Sequence, residues 1–95
     1  IRPVQVTLPD ESEGYYSLGT TLAEKNHPDA RTYLLRAIEI NPEYYEAHNN
    51  LGMFYVQIGD YAAAEKYLRR ALELRPDAQV ARENYRRLEA LLNRR

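Results

Sequence analysis

A chain of 95 residues has room for one small core, and 44% hydrophobic with 28% charged residues is the composition of a globular domain. A formal net charge of −1 provides no strong field to draw it to nucleic acid or to an anionic membrane. With no cysteine there can be no disulfide framework, thiol nucleophile or Cys-based metal site, and the longest apolar run is far short of the ~20 residues that cross a bilayer.

Along the chain, Val4, Val6 and Leu8 alternate with Gln5 and Thr7 between Pro3 and Pro9, the period-two pattern of an extended segment. Residues 1–11 are expected to be either a linker or a strip that docks on this molecule or a neighbour. A first helix starts at about Glu13. It leads through Asn26-His27-Pro28-Asp29 into a second helix, with Pro28 expected at the first helical position, where a missing amide costs nothing. Ala47, Leu51, Phe54, Tyr55 and Ile58 then fall at helical spacing before Gly59-Asp60. Gly59 suits a left-handed helix end, and Asp60 can cap the helix that follows. Ala64, Tyr67, Leu68, Ala71, Leu72 and Leu74 form the next apolar stripe, which Arg75-Pro76 stops. Asp77 is expected to cap a fifth helix from about Ala78 to Leu92. The fold class is therefore all-α, with five helices. Because it opens on Ile1 without a charged-then-apolar leader, the sequence is expected to be a piece of a longer protein.

The helices repeat. Ala30, Leu34, Ala37 and Pro42 recur as Ala64, Leu68, Ala71 and Pro76 at an offset of 34, and Leu18-Gly19 recurs as Leu51-Gly52 at an offset of 33. One residue is thus missing from the turn inside the first copy. The second copy contains His48-x2-Leu51-Gly52-x2-Tyr55, then Ala64-x3-Leu68, then Pro76; the first contains Tyr15-x2-Leu18-Gly19-x2-Leu22, then Ala30-x3-Leu34, then Pro42. This resembles the tetratricopeptide repeat, whose pattern is W-x2-L-G-x2-Y, A-x3-F and P over about 34 residues. Tyr15 and His48 replace the tryptophan, Leu22 the tyrosine, and leucine the phenylalanine. The resemblance covers about Ser12 to Asn93. It implies antiparallel helix pairs in a short right-handed superhelix: repeat 1 over 12–44, repeat 2 over 45–78 and a capping helix over 79–95.

Packing explains those residue types. Gly19, Gly52, Ala30, Ala37, Ala64 and Ala71 remove bulk where helices press together, allowing axes to approach within about 8–10 Å. In the fifth helix Val80, Ala81, Leu88, Leu91 and Leu92 supply an inner face, while Arg82, Arg86, Glu89, Arg94 and Arg95 solvate the other. Tyr85-Arg86 stands where a third Leu-Gly would fall, so this helix is expected to close the stack. Nothing comparable closes the front, which makes self-association through that end and the Val4–Leu8 strip the alternative function.

The resemblance implies a non-catalytic protein-interaction module whose first helices line a concave face. Its groove positions correspond to Glu13, Tyr16, Thr20 and Glu24, then Glu46, Asn49, Asn50, Met53 and Gln57, then Glu83, Asn84 and Arg87. This mixture suits hydrogen bonding to an extended peptide more than burial of an apolar helix. Asn50 and Asn84 occupy one repeat position, with Ser17 in the first copy, and an amide offers both a donor and an acceptor to a peptide unit. The pair is similar to the asparagine ladder of the O-linked N-acetylglucosamine transferase superhelix. Alternatively, both asparagines bond to neighbouring helix backbones. The family's basic clamp for a chaperone's terminal carboxylate is not matched: Tyr16, Thr20, Val80 and Asn84 stand at its positions, and only Asn50 agrees.

No catalytic, metal or cofactor site is expected. His27 falls in a turn and His48 at a helix-packing position, neither with ligand spacing, and the four glycines do not form a phosphate loop. Tyr15-Tyr16 and Tyr44-Tyr45 read as equivalent helix starts, either packing at helix-pair edges or forming an aromatic ledge for a partner. From Arg82 onward the local charge is +3 against −4 for the rest. Those arginines match a helix C-terminus, though the polarity could also order head-to-tail self-contacts. The expected partner is a protein or peptide, with a homo-oligomer as a further possibility and no nucleic-acid or membrane contact.

Overall fold

The computed structural model describes residues 11–94, so the Val4–Leu8 strip lies outside the described residues. Five helices follow one another: α1 (Glu11–Glu24), α2 (Ala30–Ile40), α3 (Tyr45–Gln57), α4 (Tyr61–Leu74) and α5 (Gln79–Leu92). The most extensive contacts are α1 with α2 and α3 with α4, so each repeat is a helix hairpin. α2 joins the hairpins through α3, and α5 packs on α4 and more lightly on α3.

The two hairpin turns begin alike. At the end of α1 the His27 amide bonds to the Leu22 carbonyl and the Asn26 amide to that of Ala23; at the end of α3 the Asp60 amide bonds to Tyr55 and the Gly59 amide to Val56. Both bond sets require one left-handed residue, supplied by Asn26 at φ 55° and Gly59 at φ 81°. The second repeat then starts α4 at once, with the Asp60 carboxylate accepting from the Ala63 amide at 3.2 Å.

In the first repeat the missing residue falls after His27, the counterpart of Asp60, and the start of α2 differs from expectation. Pro28 is not at the first helical position. The Asp29 amide bonds to His27 Nδ1 at 3.1 Å and the Ala30 amide to the His27 carbonyl, so Pro28 and Asp29 form a turn and α2 begins at Ala30. Asp29 makes no side-chain cap. Nor does Asp77 cap α5: the cap position is Ala78, in extended backbone with no side-chain bond, which leaves the carboxylate one residue early. Arg75, at φ −139° and ψ 83°, has left the helical region, which proline disfavours for the residue before it, and α4 ends at Leu74.

Leu34, Leu51, Leu68 and Leu88 are wholly buried and form one core with Tyr55 and Ala64; Tyr45, Ala71 and Ala81 form a second, smaller one. The glycines of the repeat face leucines across each hairpin, Gly19 toward Leu34 and Gly52 toward Leu68. Ring pairs repeat as well. Tyr15 stacks on Tyr33 with centroids 6.2 Å apart, and His48 lies 6.1 Å from Tyr67. The tyrosine pairs are therefore not equivalent: Tyr15 matches His48, whereas Tyr44 and Tyr45 sit at the very start of α3. Tyr45 is buried and Tyr15, Tyr16 and Tyr44 are half-buried, with Tyr16 and Tyr44 rings 4.9 Å apart, so these side chains pack between helices rather than form an exposed ledge.

The two ends differ. On α5, Arg82, Glu83, Arg86 and Glu89 are exposed, and Ala81 and Leu88 are buried as expected; Val80, expected on the inner face, is instead 58% exposed in the first turn of the helix. On α1, Leu18 is 43% exposed whereas its counterpart Leu51 is wholly buried, because α3 packs against the preceding repeat through α2. Beside Leu18 on α1, Gly14, Ser17 and Thr21 are exposed, and Tyr15 and Leu22 are half-buried.

Candidate functional site

The first helices of successive repeats are tied by side-chain amides. Asn50 Nδ2 on α3 donates to the Tyr16 hydroxyl at 3.1 Å and to Thr20 Oγ1 at 3.3 Å, both on α1. Asn84 Nδ2 on α5 donates to Asn49 Oδ1 on α3 at 3.0 Å. These bonds are one relationship used twice. Asn84 is the repeat equivalent of Asn50, and Asn49 is the equivalent of Tyr16 at the offset set by Leu18-Gly19 and Leu51-Gly52. In both cases the asparagine reaches back to the residue just before its own counterpart in the preceding helix.

The bonding partners are side chains of the neighbouring first helix, so the amide's two halves separate in role. Both N–H groups of Asn50 are directed at hydroxyls of α1, and its carbonyl oxygen has no partner among the described residues. A ligand reaching Asn50 meets an acceptor rather than a full peptide-like pair. Asn49 is buried with its carbonyl occupied by Asn84, which makes it a strut of the face.

Thr20, Glu24, Asn50, Met53 and Gln57 come together with Ala23 and Phe54 around a recess of about 270 Å³ between α1 and α3. Glu13 and Glu46 lie instead around a second recess of similar size with Ser12, Asn41, Glu43, Tyr44, Tyr45 and Arg75. There Glu46 pairs with Arg75 at 3.3 Å, and the Arg75 guanidinium lies 4.7 Å from the Tyr45 ring centre. Glu83 and Arg87 are exposed on α5, where Glu83 accepts a bond from Gln79 at 2.9 Å. The row of groove positions thus divides into a hydrogen-bonded centre, an acidic end near Arg75 and a polar stretch of α5.

A larger cleft, about 710 Å³, lies elsewhere, along α4 between Ala62 and Glu73, with Ile38, Pro42, His48 and Tyr67 on its walls. Of its lining residues the sequence pattern marks Tyr67, as part of the apolar stripe of the fourth helix, and His48, at a helix-packing position. Its charges largely answer one another: Arg69 pairs with Glu65 and Arg70 with Glu73.

His48 belongs to the packing of that wall. Its Nε2 lies 2.8 Å from the Pro42 carbonyl, which can only accept, so Nε2 carries the proton and Nδ1 is the bare nitrogen. Nδ1 is buried with no hydrogen-bond partner among the described residues. Burial holds the His48 pKa below its usual value; the Pro42 carbonyl opposes that shift and Arg70 adds to it. A neutral, doubly constrained imidazole is a packing group. Among the described residues no cluster of three or more His, Cys, Asp or Glu could hold a metal ion, and no helix is long and apolar enough to cross a membrane.

A family model described as tetratricopeptide repeat matches residues 21–92. No curated protein matches the chain.

Proposed function

The chain belongs to the tetratricopeptide repeat family, whose domains are typically non-catalytic scaffolds for protein partners, and we propose that it binds an extended peptide segment of another protein along α1, α3 and α5. The observation that carries this reading is the repeated asparagine bond. Donation from Asn50 to Tyr16 and from Asn84 to Asn49 fixes the rotamers of a polar row, so those side chains lose little further freedom when a ligand arrives. Asn50, Thr20, Met53 and Gln57 then line an open recess on that row. With about 0.5–1.5 kcal/mol net per hydrogen bond, a few such contacts give micromolar or weaker binding. The module works by holding a partner and performs no chemistry of its own.

Peptides selected by display on the immobilised domain test this. Backbone amide shifts on titrating a selected peptide should cluster on α1, α3 and α5 and weaken in Arg87→Ala. Shifts confined to α2 and α4, along the larger cleft, would overturn it.

A second reading, self-association through the front of α1, has one observation in its favour: Leu18 is 43% exposed where Leu51 is covered. Sedimentation across concentration separates the two. A dimer abolished by Leu18→Gln supports association, and a monomer at all concentrations removes it.

A further inference from the structure

We infer that the recess between the C-terminal halves of α1 and α3 receives one basic side chain, lysine or arginine, of the bound peptide; this rests on the peptide-binding reading above. Its volume of about 270 Å³ is below the usual range for a whole small-molecule ligand but adequate for a single side chain. Ala23, Met53 and Phe54 supply apolar wall, which suits a hydrocarbon stem whose charged head reaches toward water.

The polar groups around that wall present acceptors. Asn50 has directed its N–H groups at Tyr16 and Thr20, leaving its carbonyl oxygen. Glu24 contributes a carboxylate with no ion-pair partner among the described residues. Among the described residues no lysine or arginine lines the recess: Lys25 follows Glu24 but stays outside, and Arg31 lines the adjoining cleft beyond Phe54 and Gln57.

The backbone adds the same sign. α1 ends at Glu24 and α3 at Gln57, so two helix C-termini, each carrying partial negative charge, flank the recess. Neither helix has a basic residue in its last turn to answer that charge. A cation from a partner would supply what the chain itself leaves out. An acidic side chain placed here would face Glu24 and both helix ends.

The test uses blocked pentapeptides Ac-Ser-Gly-Xaa-Gly-Ser-NH2, with Xaa arginine, lysine, norleucine or glutamate, titrated to millimolar concentration into the labelled domain. The arginine and lysine peptides should shift the Asn50 and Gln57 side-chain amides and the Met53 methyl, with affinity about fivefold above norleucine and falling with added salt. Glu24→Gln should lower that affinity about fivefold. Asn50→Asp should raise it, because the Tyr16 and Thr20 hydroxyls can donate to a carboxylate and keep the helices tied; thermal melts check that both variants fold. Equal binding of norleucine and arginine, or no effect of Glu24→Gln, overturns the inference. If selected peptides still map to α1, α3 and α5 in that case, the broader peptide-binding reading stands alone. If no peptide perturbs those helices, both fall.

Discussion

A Cβ built on Gly52 would lie 2.5 Å from Cγ of Leu68, closer than non-bonded carbons approach, and 3.2 Å from the Leu68 backbone nitrogen. Leu68 is wholly buried, so neither its side chain nor its helix can withdraw without opening the core. The hairpin of α3 and α4 therefore closes at a distance only glycine permits, and the contact of Gly19 with Leu34 repeats it in the first hairpin.

Gly52→Ala should consequently destabilise the domain by about 1–3 kcal/mol through overpacking, despite alanine's better helix propensity. Gly14 is the internal contrast. It is exposed on α1, and a Cβ there meets nothing within 4 Å among the described residues. Gly14→Ala should stabilise by about 0.4–1 kcal/mol. Urea denaturation of the two variants checks both signs.

Asn50 and Tyr16 should be energetically coupled. A double-mutant cycle with Asn50→Ala and Tyr16→Phe should give a coupling of about 0.5–1.5 kcal/mol, the value of one partly buried hydrogen bond. Additive effects would mean that the amide does not tie α3 to α1. The same cycle for Asn84 and Asn49 reads the bond between α5 and α3.

Acid should weaken the domain through His48. Its folded-state pKa is lowered, chiefly by burial, so the unfolded chain binds a proton more readily than the native one. The stability held by the neutral ring is complete above the unfolded value of about 6.5 and is lost as pH falls from there through the folded value. Protonation would place an N–H on Nδ1, which is buried without an acceptor among the described residues. His48→Phe should remove that part of the slope of unfolding free energy below about pH 6.5, at a cost of about 1 kcal/mol at neutral pH for the bond to Pro42.

Three aspartates near helix starts should behave differently. Asp60→Ala removes a real cap and should cost about 1 kcal/mol. Asp29→Ala and Asp77→Ala remove no cap bond and should change thermal stability by less than about 0.5 kcal/mol.

Much of this was legible in the chain. The Leu-Gly, Ala-x3-Leu and proline positions identified two hairpins, because close contact between helices admits only small residues at fixed spacing. Asn26 was harder to read. Its left-handed role matches Gly59 only once the missing residue is placed after it, and asparagine adopts that conformation without announcing it. The late start of α2 and the uncapped start of α5 were equally hidden, since an aspartate next to a helix caps it only when the backbone presents the right amide.

The candidate site shows the same division. Repeat spacing put Asn50 and Asn84 on one face, and the resemblance to the tetratricopeptide repeat added Tyr16 and Thr20 to it. Which half of each amide would remain for a ligand depended on distances across helices, and those follow from how closely the hairpins settle. By itself the sequence determined the helical hairpins, the small residues at their contacts and the polar character of the shared face, all of which depend on local periodicity. Only the tertiary structure decided that Asn49 is a strut, that Glu46 is taken by Arg75 and that Asn50 offers an acceptor beside two helix ends. A hydrogen bond between residues some 34 positions apart is set by the register of packed helices, which no stretch of sequence records alone.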